Sequence, residues 1–456
     1  MTEDHLQRAA DLAGAWLRSL PDRPVGPAGD PAGLRGALPA GGTDPVAVIE
    51  ALAAAAEPGL VATPGPRYFG FVTGGALPAA LGADWLTSAW DQNAALHAMS
   101  PAAATAESTV IDWIKELLGL PAGAGAGLVT GAQMANVTAL AAARHAVLGR
   151  AGWDVEARGL IGAPAVRVIT GAESHATVFN ALRLVGLGRD TAVRIPTDDQ
   201  GRMDPGALAA ELARGDGPAI VCAQAGNVNT GAFDPFGPIV AACRAHGAWC
   251  HVDGAFGLWA AAAPGRAHLT AGVDGADSWA LDAHKWLNVP YDSALAIVAD
   301  PAPLHAAMTL TAPYLTIAAE QERNGADWAP ESSRRARAFP LYAALRQLGR
   351  AGVADLVERH CALAARMAER LAGEPGVAVL NDVVLNQVLV RFGDDDAATD
   401  AVIARVQRGG VCWLGGTRRQ DRAAMRISVS GWQTTAADAD RSADAIAAAW
   451  REHAGG

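Results

Sequence analysis

The chain has 456 residues, 51% of them hydrophobic and 18% charged, and a formal net charge of -11. That length predicts a large domain with smaller ones beside it, and the apolar content excludes a mostly disordered chain. The acidic balance argues against nucleic acid or an anionic membrane as the main partner, yet leaves room for a local basic pocket that holds a phosphate.

Residues 5–20 place Leu6, Ala9, Ala13, Trp16, Leu17 and Leu20 on one helical face. Such a face has to bury itself against something, and a partner subunit is one option. The same stretch is acidic where a signal peptide is basic, and it lacks an apolar core, so a cytoplasmic protein is expected. Pro and Gly dominate 21–45, which reads as a loop. Asp44 then caps a short helix that Pro45 opens and Ala56 closes. Tyr68 to Val72 reads as an aromatic extended piece, and Thr73-Gly74-Gly75 as a turn. Helices are predicted from Pro78 to about Ala89 and from Pro101 to Leu118. Between them Asp91, Gln92, Asn93, His97 and Ser100 gather polar groups, with Trp85 and Trp90 alongside. This is either an ordinary loop or the rim of a pocket.

Residues 121–127, PAGAGAG, read as a glycine-rich linker. Leu128-Val129 then reads as a short strand, followed by a small-residue turn and a helix. The N–H groups at such a helix start point outward and, with the helix dipole, favour an anion. Over the next 130 or so residues apolar strands alternate with helices. Strands are expected at Val166 to Thr170, Ala192 to Ile195, Ala219 to Ala223, Ala248 to Val252, Ser278 to Leu281 and Ala294 to Val298. Helices are expected near Thr177 to Leu187, Pro205 to Arg214 and Pro235 to His246. This alternation predicts an α/β fold with a mainly parallel sheet covered on both faces. Ligands bind beyond the carboxyl ends of such strands, where Ser174-His175, Asn227 to Thr230, Asp253 and Asp282 to Lys285 fall.

The stretch 310–333 lacks periodicity and reads as a long loop, a type that is often functional. Helices return from Arg334 to about Leu371. Two strands, Val388 to Arg391 and Met425 to Val429, alternate with helices at 397–408 and 435–452, giving a small α+β C-terminal domain. Three parts are therefore expected: 1–77, an N-terminal segment packing on a dimer partner; 78–335, the large domain; and 336–456. The five cysteines are scattered without CxxC pairs, so neither disulfides nor a metal site is expected. No stretch reads as a transmembrane helix.

Lysine occurs only twice, as Lys115 and Lys285. Lys285 sits in SWALDAHKWLNVPYD between His284 and Trp286, where apolar neighbours lower the pKa of an amine and make it a nucleophile toward an aldehyde. Asp253, in HVDGA at the end of another apolar run, suits a cationic ring nitrogen. A lysine that forms an imine and an aspartate that holds a pyridinium are what pyridoxal phosphate (PLP) chemistry needs. The bland alternatives are a snorkelling lysine and a helix cap. Ala255 leaves room beneath a ring. His175 either stacks on the cofactor or caps a helix, and Arg426 either binds a substrate carboxylate or makes a surface ion pair. His251 shares a face with Asp253 but lies deeper, and reads as structural.

With GAQMAN, ESHATV, AGNVNTGAFDP, HVDGAFG and DAHKWLNVPYD in hand, the chain resembles the group II PLP-dependent decarboxylases, which act on aromatic amino acids, glutamate or 2,4-diaminobutyrate. The resemblance runs from PRYFGF to MRISVS. It implies PLP fold-type I, an aspartate-aminotransferase-like architecture, and a homodimer with shared sites. By position it makes Lys285 the Schiff-base lysine, Asp253 the pyridinium partner and His175 the stacking histidine. Ala132, Gln133, Asp282 and His284 fall at the phosphate, Thr73 at the substrate carboxylate, and Asn227 or Asn229 near the cofactor's O3′ side. Trp90, Gln92, Asn93, His97 and Arg426 are the further substrate-binding candidates.

Three departures stand out. Gln133 replaces a serine. Asp282 replaces an asparagine and puts an anion beside a phosphate, unless it caps a helix or pairs with an arginine. Gly325 falls where the family's mobile loop carries a tyrosine that protonates the quinonoid; Tyr314 matches a different position. The expected reaction is decarboxylation of an L-α-amino acid through an external aldimine and a quinonoid. Aldehyde synthesis, retro-aldol cleavage, transamination and a non-catalytic PLP-fold dimer remain as alternatives.

Overall fold

The computed structural model describes residues 4–310 and 322–455. These group into two units. One holds the chain as far as Thr73, Leu363–Leu380 and the residues from Val388 onward; the other holds Gly74–Ala362 and Asn381–Gln387.

The larger unit is built on seven strands: β1 (Gly125–Val129), β2 (Arg167–Gly171), β3 (Val193–Ile195), β4 (Ala219–Gln224), β5 (Trp249–Asp253), β6 (Ser278–Asp282) and β7 (Ala294–Val298). Their order across the sheet is β1-β7-β6-β5-β4-β2-β3. β7 is antiparallel to both its neighbours, and every other pair in this sheet is parallel. β1 therefore runs the same way as β6. The carboxyl ends of β1, β2, β4, β5 and β6 come to one edge, as an α/β fold requires of its ligand side. The strands read as unbroken apolar runs because both faces are covered: every residue of β1, β4, β5, β6 and β7 is buried. The Ala132–Arg150 helix lies on this sheet through Ala135, Ala139, Ala142 and Ala143. Alanine along that face lets the helix approach closely.

The PAGAGAG stretch is not simply a linker, because its last three residues open β1. A Cβ added at Gly127 would lie 1.9 Å from the Trp328 carbonyl oxygen, and one at Gly125 would lie 2.6 Å from the Trp328 ring. Here glycine marks the close passage of another segment of backbone, not flexibility.

The smaller unit contains a second sheet of β8 (Val377–Val379), β9 (Gln387–Phe392), β10 (Gly415–Arg419) and β11 (Arg422–Ser428), ordered β10-β11-β9-β8. Three of these four strands carry apolar residues, β8 (VAV) over too short a run to stand out. β8 is three residues long, and β10 reads GGTRR; both exist through pairing with a neighbour. The final helix, Ala436–Ala454, starts at a capping box of Thr435 and Asp438. Near the amino end, the Asp44 side chain accepts the N–H groups of Val46 and Ala47, as its position predicts. In the Asp4–Ser19 helix, Trp16 and Leu17 lean on Leu20, Val25, Ala62 and Tyr68. The stretch 68–72 is curled, not extended: Phe71 and Val72 have φ of 53° and 57°. The chain wraps the Trp413 indole there. Tyr68 stacks on it at 5.0 Å, and a Cβ on Gly70 would meet it at 2.2 Å.

No helix among the described residues is long and apolar enough to cross a membrane. All five cysteines are buried thiols.

Candidate active site

Asp253 closes β5, and its carboxylate is held by neutral donors. Oδ1 accepts the Ala255 N–H at 3.2 Å, and Oδ2 accepts the Asn136 amide at 3.3 Å. Behind it runs a buried chain of hydrogen bonds. The indole N–H of Trp249 donates to Ser278 Oγ at 2.8 Å, and Ser278 lies 2.9 Å from His251 Nδ1. His251 Nε2 is 2.9 Å from Asn136 Oδ1. An indole only donates and a carboxylate only accepts, so every link points one way, from Trp249 through Ser278, His251 and Asn136 to Asp253. His251 is therefore neutral with its proton on Nε2. Burial agrees, pushing its pKa down to about 4 against the pull of Asp253. Asn136 is the residue that the residue-by-residue reading passed over. It lies one helical turn beyond Ala132, which puts both on one face of the helix.

Asp282 closes the adjacent strand, β6, and its own N–H bonds to the Ala255 carbonyl. Its carboxylate meets three donors. Oδ1 accepts the Ala132 N–H at 2.6 Å and lies 3.3 Å from His284 Nε2, while Oδ2 lies 3.0 Å from Lys285 Nζ. Asp282 thus caps the Ala132–Arg150 helix from a distant strand and pairs with a lysine and a histidine, and with no arginine among the described residues. His284 Nδ1 accepts the Ser293 N–H at 3.1 Å, which leaves the proton of the neutral ring on Nε2, the nitrogen nearer Asp282. Burial lowers the His284 pKa and the Asp282 charge opposes that shift. The Tyr291 ring lies 4.4 Å from the His284 ring, centroid to centroid.

Lys285 is fixed from both sides. Trp286, next along, is buried and donates its indole N–H to His360 at 2.8 Å. A Cβ on Gly74 would stand 2.5 Å from the Lys285 carbonyl. The other lysine is spent on structure: Lys115 donates to the Ala122 and Ala124 carbonyls and pairs with Asp112.

His175 caps the Ala176–Leu184 helix, with Nδ1 accepting the Thr177 N–H and lying 2.7 Å from Thr177 Oγ1. Thr177 joins this histidine to the neighbouring residues: Asn136 reaches its hydroxyl at 3.5 Å and Gln133 its carbonyl at 3.4 Å. Asn227 shapes a turn, its Oδ1 accepting the N–H groups of Asn229 and Thr230, while its buried Nδ2 has no partner among the described residues.

The loop after Trp90 is tied elsewhere. Asn93 Oδ1 accepts the N–H groups of Ala95 and Arg334, Gln92 donates to the Trp90 carbonyl, and His97 lies 3.4 Å from Glu322. None of these described contacts runs to Lys285, Asp253 or His175. Gly325 is buried and opens a 3-10 turn, Gly325–Asp327. A Cβ there would lie 1.8 Å from Arg334 Nη1 and 2.4 Å from the Ala94 carbonyl. Tyr314 lies outside the described residues. In the smaller unit, Thr73 is buried with its N–H on the Gly70 carbonyl. Arg426 is half-buried on β11, where burial lowers its pKa, and no carboxylate pairs with it among the described residues.

The conserved domain of pyridoxal-dependent decarboxylases matches residues 36–392. The chain belongs to the pyridoxal-dependent decarboxylase family. This family member is 27% identical over 447 residues to the aromatic-L-amino-acid decarboxylase of Bacillus atrophaeus, covering 94% of this chain and 91% of that one. It is 26% identical over 431 residues to the 4-hydroxyphenylacetaldehyde synthase of Rhodiola rosea, covering 90% and 86%. The crystal structure of Oryza sativa TDC with PLP and tryptamine matches with a TM-score of 0.91 at 24% identity, covering 99% of this chain and 97% of that one. The fold is accordingly PLP fold-type I. Membership makes PLP the cofactor and places this decarboxylase-family chain among the PLP-dependent carboxy-lyases, in a family that also contains aldehyde synthases.

The residues present fit PLP. Lys285 offers a primary amine in a largely enclosed setting, and Asp253 is an anion with neutral partners only. Anion donors already converge at the Ala132–Arg150 helix start, where a Cβ on Gly131 would press to 3.3 Å from the His284 ring. Glycine there keeps the approach to those donors open.

Proposed function

We propose that this family member removes carbon dioxide from an L-α-amino acid to leave the amine, and that it works as a homodimer in the cytoplasm. The observation that carries the reading is the pair of strand ends: Lys285 above β6 and Asp253 at the end of β5. PLP, when bound, supplies an electron sink for the bond broken at Cα.

The chain supplies the rest. Lys285 provides the amine that holds the cofactor and moves protons at the reacting carbon. Asp253, aimed by Asn136, keeps a proton on the ring nitrogen. His175 covers the outer ring face, and Ala255 leaves space on the other. The N–H of Ala132, with Gln133 and His284, binds the phosphate end. The amide nitrogen of Asn227, without a partner among the described residues, suits the cofactor's hydroxyl side together with Asn229. Thr73 and Arg426 are assigned to the substrate carboxylate, which a guanidinium without a carboxylate partner suits. Trp90, Gln92, Asn93 and His97 are assigned to the substrate side chain across the dimer. The exposed apolar side chains of Trp85, Leu86, Trp90 and Met99 in the larger unit support a second copy, and the buried thiols suit a reducing compartment.

A second reading, aldehyde synthesis with release of ammonia and peroxide at the expense of oxygen, is favoured by Gly325, where no tyrosine side chain fits. The test is to load the full chain with PLP and follow the absorbance band of lysine-bound cofactor. Lys285→Ala should abolish the band. A panel of L-amino acids is then assayed for amine, carbon dioxide, ammonia, peroxide and aldehyde. Amine with stoichiometric carbon dioxide is expected; peroxide with ammonia replaces the first reading by the second. Light scattering should give twice the chain mass.

A further inference from the structure

Two anions have a claim on one set of donors at the end of β6. The Asp282 carboxylate accepts the first N–H of the Ala132–Arg150 helix at 2.6 Å and lies 3.3 Å from His284 Nε2 and 3.0 Å from Lys285 Nζ. Under the PLP reading proposed above, on which this inference rests, the cofactor's phosphate needs the first two and its aldehyde consumes the third. We propose that Asp282 is an internal competitor for the phosphate of PLP, so that this one carboxylate sets how tightly the chain holds its phosphorylated cofactor.

The surroundings leave Asp282 little relief. Its carboxylate is almost wholly buried, so solvent screens it weakly. Among the described residues its one full positive partner is Lys285, whose amine the cofactor takes. His284 is a neutral donor, since Nδ1 is occupied by the Ser293 N–H and burial disfavours a second proton. Gln133 is turned to the Thr177 carbonyl, and no arginine reaches the carboxylate among the described residues. A phosphate oxygen that accepted the Ala132 N–H would therefore sit against an anion instead of a neutral amide. Asparagine has the same shape and can still accept that N–H, but it carries no charge.

The experiment uses the full-length chain freed of cofactor, titrated with PLP and separately with pyridoxal, which lacks the phosphate. Binding is read from the band of the lysine-bound aldehyde. Asp282→Asn should bind PLP about tenfold or more tightly than wild type, with pyridoxal affinity changed by about twofold or less; tenfold corresponds to about 1.4 kcal/mol. Inorganic phosphate should compete with PLP with an inhibition constant about tenfold lower in the variant. Asp282→Ser, a second neutral replacement, should show the same preference, so the outcome does not hang on one variant folding. Equal shifts for the two aldehydes, or PLP affinity unchanged or weakened in both variants, would overturn the proposal while leaving the PLP reading standing. Failure of wild type to bind either aldehyde at Lys285 would instead bring down the PLP reading, and this inference with it.

Discussion

Asp253 and Asp282 stand at the carboxyl ends of two adjacent parallel strands and are 4% and 1% exposed. They are matched in burial and position and differ in their donors. Asp253 takes an amide and a backbone N–H, both fixed and neutral, at the end of a hydrogen-bond chain that begins at Trp249. Asp282 takes a helix N–H and lies beside a histidine and the amine of Lys285, to which the proposed function gives another task. A buried carboxylate with rigid neutral partners keeps its charge available for an incoming cation. One whose cation is on loan becomes an obstacle to an incoming anion. Burial alone does not tell the two roles apart; the kind of donor does.

Removing the charge of each aspartate in turn is the most direct way to break this contrast. Asp253→Asn should lower kcat by about 10³-fold, on the order of 4 kcal/mol of transition-state stabilisation, while the cofactor still attaches to Lys285. If Asp253→Asn instead behaved like Asp282→Asn and gained PLP affinity, the assignment of opposite roles would fail.

The hydrogen-bond chain behind Asp253 gives a smaller effect with a definite pH signature. His251 is held neutral, with a pKa of about 4 in the fold against an ordinary 6.5. Between those values the unfolded chain binds the proton and the folded one does not, so stability is lost as pH falls from 6.5 toward 4, by about 3 kcal/mol in all. Asp234, which burial pushes up to about 6, acts with the opposite sign in part of that window. The His251 share is therefore read as the difference between wild type and His251→Asn in urea midpoints across pH. That difference should narrow on acidification; a constant offset would mean that His251 is charged in the fold.

Ser278→Ala should give the smallest effect. It strands the indole N–H of Trp249 and Nδ1 of His251, at a cost of about 2 kcal/mol. Turnover should fall less than in Asp253→Asn, because Asn136 still reaches the carboxylate.

The sheet was legible because its strands are apolar on both faces and bounded by turn residues, a pattern that survives in one dimension. β1 was half hidden, since Gly125 and Gly127 carry no strand signal and are glycine for the sake of Trp328, about 200 residues away. β10 was hidden entirely, its five residues being a strand only because β11 pairs with them. The candidates Lys285 and Asp253 stand out in the sequence for a chemical reason: one is a lysine three residues beyond an apolar run, the other an aspartate that ends one. His251 and Asn136 were not equally visible. The strand alternation from Asp253 exposes the histidine, while the bridge through Asn136 comes from a helix that meets β5 only in three dimensions.

An α/β order of elements, a small-residue turn leading into a helix, and Lys285, Asp253 and His175 as candidates were given by the sequence alone, because each rests on local residue chemistry or periodicity. The partners of Asp282 and the absence of room at Gly325 were decided by tertiary structure. Asp282 finds Lys285 and His284 nearby in sequence, but Ala132 lies 150 positions away. Gly325 meets Arg334 and Ala94 at distances that only the packed chain creates. Charge balance and steric room are properties of neighbours in space, and the order of residues does not name those neighbours.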